Sequence, residues 1–270
     1  MSEQPLRETV HVGQLESFLV AVQFLTRIPV KSNAVPDSME RYQSVLPHAV
    51  IYFPLVGMLI GLSTALIMLG LDIWLPTSQA VLLALVFEAM LTGAFHEDAL
   101  ADTCDAFGGG WTREQILEIL KDSRIGTYGA LGLGLGVALR AFCMMEIGRD
   151  PWWYVLLIVT LAAGLGRVMI LYMMVQLEPV TDHHSLARDV YGQGKLRALL
   201  LGSMCVLPLM LIWTGLEPRC AGLALLLLFM FAVYYLWRVR VRLGGSTGDI
   251  LGCSAFIAQL LVLLTANAWK

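Results

Sequence analysis

Asp98, Asp102 and Asp105 fall in the run His96-Glu97-Asp98-Ala99-Leu100-Ala101-Asp102-Thr103-Cys104-Asp105. On a helix the spacing i, i+4, i+7 stacks three carboxylates on one face. Like charges four apart oppose a bare helix by about 0.2–0.5 kcal/mol. A hard divalent cation such as Mg²⁺, which takes carboxylate oxygen, turns that repulsion into coordination. Glu97 offers a further oxygen. A solvated acidic helix end fits the same pattern, but carboxylates beside a hydrocarbon-length run are costly without a partner. The stretch therefore predicts a metal site at the mouth of a membrane segment.

Two other polar stretches have matching chemistry. In Lys121-Asp122-Ser123-Arg124-Ile125-Gly126 two cations lie three apart with a hydroxyl between them, a pattern suited to phosphate. An ordinary positively charged membrane flank would look the same. Ahead of it, Ile116, Leu117, Ile119 and Leu120 predict a short amphipathic helix. In Gly244-Gly245-Ser246-Thr247-Gly248-Asp249 the glycines permit close backbone approach at the start of an apolar run, where an anion nest or a simple helix cap both fit. Adjacent histidines in Asp182-His183-His184 point opposite ways on a helix and make a weak metal site.

The elements that position these residues are membrane helices. Of 270 residues, 57% are hydrophobic and 14% charged, against about 25% charged in a soluble domain. The fold class is therefore all-α, a polytopic transmembrane bundle forming one catalytic domain over 1–270, with 1–15 a mobile tail. Seven spans are expected, at 49–71, 79–95, 128–147, 152–175, 198–214, 220–237 and 250–268. Residues 15–29 are too short to span, since a span needs about 20 apolar residues, and read as an interfacial helix. Residues 31–48 read as a polar loop, and Pro54 as a kink in the first span. Gly57-x-x-x-Gly61 and Gly132-x-x-x-Gly136 are small-residue faces for close helix packing. Glu88, Arg140, Glu146 and Arg167 lie in or near spans, where charges face the bundle interior; spacing alone gives Arg140 and Glu146 no role.

With the N-terminus cytoplasmic, thirteen Lys and Arg fall on that side and three, Arg149, Arg219 and Lys270, on the other. All the acidic, basic and glycine-rich stretches then face the cytoplasm, and the C-terminus the periplasm. The net charge of −3 gives no basis for nucleic acid as a partner. The five cysteines form no C-x-x-C pair and suggest neither a disulfide framework nor a thiolate metal site.

Phe24-Leu25-Thr26-Arg27-Ile28-Pro29, Phe53-Pro54-Leu55-Val56-Gly57, the acidic run, Lys121-Asp122-Ser123-Arg124-Ile125-Gly126-Thr127 and Gly245-Ser246-Thr247-Gly248-Asp249 together resemble the cobalamin synthase (adenosylcobinamide-GDP ribazoletransferase) family. One departure is Ala99, where that family usually has glycine. The resemblance implies an inner-membrane enzyme late in vitamin B12 assembly. It would join adenosylcobinamide-GDP to α-ribazole or its 5′-phosphate with Mg²⁺, releasing GMP, and other late enzymes of the pathway or an oligomer would be natural partners. It places metal at Asp98, Asp102, Asp105, Asp249 and Glu97. Substrate phosphate falls to Arg27, Lys121, Ser123, Arg124, Gly245, Thr247 and Gly248. Catalysis falls to the aspartates, with Asp105 as first candidate for the general base and His96 as second, because Glu97 would keep the imidazole charged. Two other readings of the acids are a CDP-alcohol phosphatidyltransferase-like lipid enzyme, whose fuller motif is missing, and a cation transporter, whose sites lie nearer the midplane.

Overall fold

The computed structural model describes residues 12–30, 38–180 and 194–269. Asp182, His183 and His184 lie outside them. The described residues form α1 Gln14–Leu25, α2 Met39–Ala49, α3 Phe53–Asp72, α4 Thr77–Thr92, α5 Phe95–Gly109, α6 Arg113–Ile119, α7 Thr127–Ile147, α8 Trp152–Gln176, α9 Lys195–Ser203, α10 Leu207–Leu216, α11 Pro218–Arg242 and α12 Gly248–Thr265. Five helical runs are long and apolar enough to cross a membrane: 41–72, α7, α8, α11 and α12. Two bent pairs, α4 with α5 and α9 with α10, raise the number to seven. The chain is an all-helical, multi-pass membrane protein, as its composition requires.

Packing is closest where side chains are smallest. α3 lies against α8 through Gly57 and Gly61, whose Cβ positions would fall 2.8 Å from the Ala163 carbonyl and 2.7 Å from the Val159 carbonyl. Both small-residue faces thus act as the sequence predicts, since Gly132 and Gly136 admit Cys104 and Leu100 of α5 against α7. α1 is too short to cross, and it docks by burying Val20, Ala21 and Leu25 completely and by a fork from Arg41 of α2 to Glu16, at 2.9 and 2.8 Å.

Four local expectations need correction. Residues 31–48 are not all loop, because α2 begins at Met39, with the Ser38 hydroxyl accepting from the Arg41 N–H at 3.2 Å. Pro54 does not kink a span. It sits in the first turn of α3, where a missing N–H is harmless, after the short 3₁₀ turn Val50–Tyr52. The run 198–214 is broken between α9 and α10 by a bend of 46°. The most consequential break separates α4 from α5, at 88°. Gly93 and Ala94 there take φ of 71° and 55°. Glycine accepts that backbone freely; for Ala94 the left-handed conformation costs roughly 1–2 kcal/mol, so contacts elsewhere must hold the bend.

Beyond the bend, α5 runs antiparallel along α7. Asp105 meets Gly129, Cys104 meets Gly132, Leu100 meets Gly136 and Glu97 meets Arg140. Eleven residues of α7 separate the first and last of these pairs, about 16 Å at 1.5 Å per residue. The acidic helix therefore enters the bundle and does not merely sit at its mouth.

Candidate active site

The carboxylates of α5 separate into two sets. At the α7 N-terminus Asp105, buried, accepts from the N–H of Gly126 at 2.7 Å and of Gly129 at 2.8 Å. These amides are among the four that a helix start leaves without an internal partner, and the negative charge also suits the helix dipole. Neither glycine has room for a Cβ beside that carboxylate. At the other end Glu97 accepts from Arg140 at 3.2 Å. Between them, Asp98 is exposed and Asp102 partly buried, and neither takes a hydrogen bond or ion pair from the described residues.

The start of α12 faces this open pair. The Thr103 hydroxyl donates to the Asp249 carbonyl at 3.2 Å, and Thr247 caps α12 by accepting from the Ile250 N–H at 3.3 Å. The Asp249 carboxylate accepts from the Thr247 hydroxyl at 3.4 Å. Asp98 and Asp249 both act electrostatically on Asp102. Gly252 lies directly against Ala99, a Cβ there falling 2.6 Å from the Ala99 methyl. The alanine at 99 is accommodated because its opposite number has no side chain.

The glycine-rich stretch is tied to neighbouring segments through backbone groups. Ser246 donates to the Glu178 carbonyl at 2.9 Å, and Val180 donates to the Ser246 carbonyl at 3.0 Å. Arg113 donates to the Leu243 carbonyl at 3.0 Å, and Arg242 donates to the Gly110 carbonyl. The segments 110–113, 177–180 and 243–247 are thereby fixed together at one end of the bundle. Ile116 of α6 is fully buried beneath them, so the predicted amphipathic helix is present as α6. The loop from Lys121 to Gly126 is exposed except at the half-buried Asp122 and is joined to the acidic helix by the Asp105–Gly126 bond. Within it Arg124 forks onto Asp122 at 2.9 and 2.6 Å and, by side chain first and backbone second, holds that carboxyl at about 2.

Arg27 is exposed at the opposite end of the row. Its N–H donates to the Leu91 carbonyl at 2.7 Å, and its guanidinium lies over Gly93, in space that a Cβ would occupy. Cations thus stand at both ends of the open acids, Arg27 at the bend and Lys121 with Arg124 near Asp105.

Asp98, Asp102, Asp249, Thr247 and Gly248 are brought together. His96 is not with them. It is 5% exposed, turned into the bundle with its ring edge-on to Phe95. Glu97, expected to keep the imidazole charged, is instead taken up by Arg140 at 3.2 Å. Glu97 and Asp105 have protein donors instead of open coordination. Sequence spacing missed Arg140 and Glu88 as parts of this arrangement; the available signal was a lone acid in one apolar run and a lone base in the next.

The open set suits a hard cation. Among the described residues no three His, Cys, Asp or Glu side chains are grouped to hold an ion by themselves. Mg²⁺ commonly takes one or two protein carboxylates and completes its shell with water and substrate phosphate, and Asp98 with Asp102, faced by Asp249, offers that kind of donor set.

A family model described as cobalamin-5-phosphate synthase matches residues 17–267. Among similar proteins, an adenosylcobinamide-GDP ribazoletransferase of Shewanella frigidimarina is 38% identical over 267 residues, covering 94% of this chain and 95% of that one. Proteins of the same name from Vibrio parahaemolyticus and Shewanella baltica are 36% and 34% identical; the alignments cover 95% and 94% of this chain and 93% and 94% of theirs. No solved structure matches the chain. The chain belongs to the cobalamin-5-phosphate synthase family.

Proposed function

We propose that this family member, a membrane transferase of cobalamin synthesis, moves the cobinamide phosphate of adenosylcobinamide-GDP to the 3′-hydroxyl of α-ribazole or its 5′-phosphate, with Mg²⁺, and releases GMP. The name shared by its relatives supplies the substrates. The observation that carries the chemistry is the open pair Asp98 and Asp102, left without a protein donor and faced by Asp249. The Lys and Arg bias supports a site on the cytoplasmic side of the membrane, which we take to be the bacterial inner membrane.

Asp98 and Asp102, with Asp249 opposite, hold the metal. When bound, Mg²⁺ lowers the pKa of the attacking hydroxyl and neutralises charge on the leaving GMP. Lys121 and Arg124 bind the diphosphate, and the Gly245–Gly248 backbone admits phosphate close to α12. The ribazole oxygen forms a bond to the phosphorus next to cobinamide as the bond from that phosphorus to the bridging oxygen breaks. The hydroxyl proton goes to one of the open carboxylates. We do not give that part to Asp105, whose oxygens each accept a backbone amide, or to His96, which is buried. No Ser–His or Cys–His pair among the motif residues activates a protein nucleophile, so the transfer is one in-line displacement.

Protein in liposomes, given adenosylcobinamide-GDP, α-ribazole and Mg²⁺, should yield cobalamin and GMP in equal amounts. A chiral thiophosphate at the transferred phosphorus should emerge inverted. Retention would require two displacements and a covalent intermediate; absence of product with either form of ribazole would overturn the substrate assignment.

A further inference from the structure

We propose that Arg140 is a positioning residue for the metal site, holding α5 at its angle to α4 so that Asp98 and Asp102 face outward. The inference rests on the metal-binding role given above to those two aspartates.

Arg140 lies on α7, 4% exposed. One of its terminal nitrogens donates to both oxygens of Glu88 on α4, at 2.6 and 2.7 Å. The other donates to Glu97 on α5, at 3.2 Å. Glu88 and Glu97 lie on opposite sides of the Gly93–Ala94 break, so one guanidinium spans the bend. The assembly has further supports. Thr64 of α3 donates to Glu88 at 2.8 Å, and the Arg140 guanidinium carbon lies 6.0 Å from the centre of the Phe256 ring on α12. Arg167, 1% exposed, acts electrostatically on Glu88 as well and brings a second positive charge to the two glutamates.

The bend cannot hold itself. Ala94 is left-handed, and α5 starts with no side-chain cap. Glu97 and Asp98 are adjacent, so on a helix their side chains point about 100° apart. Drawing Glu97 inward onto Arg140 turns Asp98 outward, and Asp102 follows one turn later. Lysine carries the same charge but lacks the planar fork that reaches two carboxylates at once. Groups that orient metal ligands without touching the ion commonly change affinity by about 10–100-fold when removed.

Mn²⁺ binding to purified protein in detergent, read by the loss of the free-ion EPR signal, tests this without substrate. Arg140→Lys keeps the buried charge and should weaken Mn²⁺ about tenfold, with a matching rise in the Mg²⁺ needed for half-maximal turnover and a rate restored at saturating Mg²⁺. Glu97→Gln should weaken Mn²⁺ similarly, and the double variant no further, because both changes break one tie. Unaltered Mn²⁺ affinity in folded Arg140→Lys would overturn the proposal, and so would additive losses, which would make Glu97 a direct ligand. If Arg140→Lys does not accumulate, Glu88→Gln, which leaves the Glu97 contact and the charge of Arg140, should show the same weakening, and wild-type affinity there would also overturn it. Wild-type protein that binds Mn²⁺ through Asp98 and Asp102 yet forms no cobalamin would refute the assigned reaction and leave the role of Arg140 standing. Wild-type protein that binds no Mn²⁺ would remove both.

Discussion

Glu97 and Asp98 are neighbours in the chain and opposites in circumstance. Glu97 is drawn onto a buried arginine, while Asp98 is exposed without a donor from the described residues. The same contrast recurs along the helix, where Asp105 receives two backbone amides and Asp102 receives none. The acids at the ends of α5 fix the helix, to α7 through Asp105 and to the α4 bend through Glu97. Those in the middle are held in place by their neighbours and left open. A carboxylate satisfied by the protein is a structural element; one denied a partner near the membrane is costly unless a cation joins it.

The contrast is broken most severely at the open acids. Asp98→Asn and Asp102→Asn keep the shape and remove charge. Each should lower turnover by about a thousandfold, the scale seen when an electrostatic group acting on the transition state is lost, with membrane insertion unchanged. Turnover in liposomes and size-exclusion profiles would check this pair of outcomes. Asp105→Ala should act differently, by leaving the Gly126 and Gly129 amides without their acceptor at a cost of about 1–3 kcal/mol each. Its expected signature is lower thermal stability with metal affinity reduced less than in Asp102→Asn; equal loss of metal with no loss of stability would make Asp105 a ligand after all.

A smaller effect is expected at the basic loop. Lys121→Gln and Arg124→Gln should each raise KM for adenosylcobinamide-GDP about tenfold, the scale of one charge-assisted hydrogen bond, and leave KM for α-ribazole nearly unchanged. Equal effects on both substrates would reduce these residues to membrane flanks. The smallest effect concerns pH. Asp122 has its carboxyl held at about 2 in the folded protein, below the ordinary 3.8. A depressed acid contributes above its unfolded value and loses that contribution only as pH falls through the folded one. The Arg124 pairing is therefore constant from about pH 5 upward, and Asp122→Asn should leave the shape of the pH–rate profile between about pH 6 and 9 unmoved. A shifted limb in that variant would show that the pair titrates with the reaction.

Much of the site was legible because its signals are local. Spacing put Asp98 and Asp102 on one face, and the glycine-rich stretch announced a close backbone approach that Gly245 makes, its Cβ position falling 2.7 Å from the Glu178 carbonyl. The bend was hidden, since residues 79–95 are mostly apolar and carry no proline, with Gly93 as the one local sign of a break. Its cause is tertiary, because Arg140 reaches partners 43 and 52 residues away. For the same reason His96 and Glu97 were grouped with the aspartates, although a turn of one residue sends each toward a different environment. α2 lies in a polar stretch that reads as loop; its start is set by the Ser38 hydroxyl, which accepts from the Arg41 N–H.

The most direct test of the open acids is the number of Mn²⁺ ions bound per chain, counted by EPR titration of wild-type protein and of the Asp98→Asn/Asp102→Asn variant prepared identically. The wild-type chain should bind one or two ions that Mg²⁺ displaces, and the double variant should bind none at the same concentrations. Equal stoichiometry and affinity in the two proteins would contradict the assignment of metal to this row.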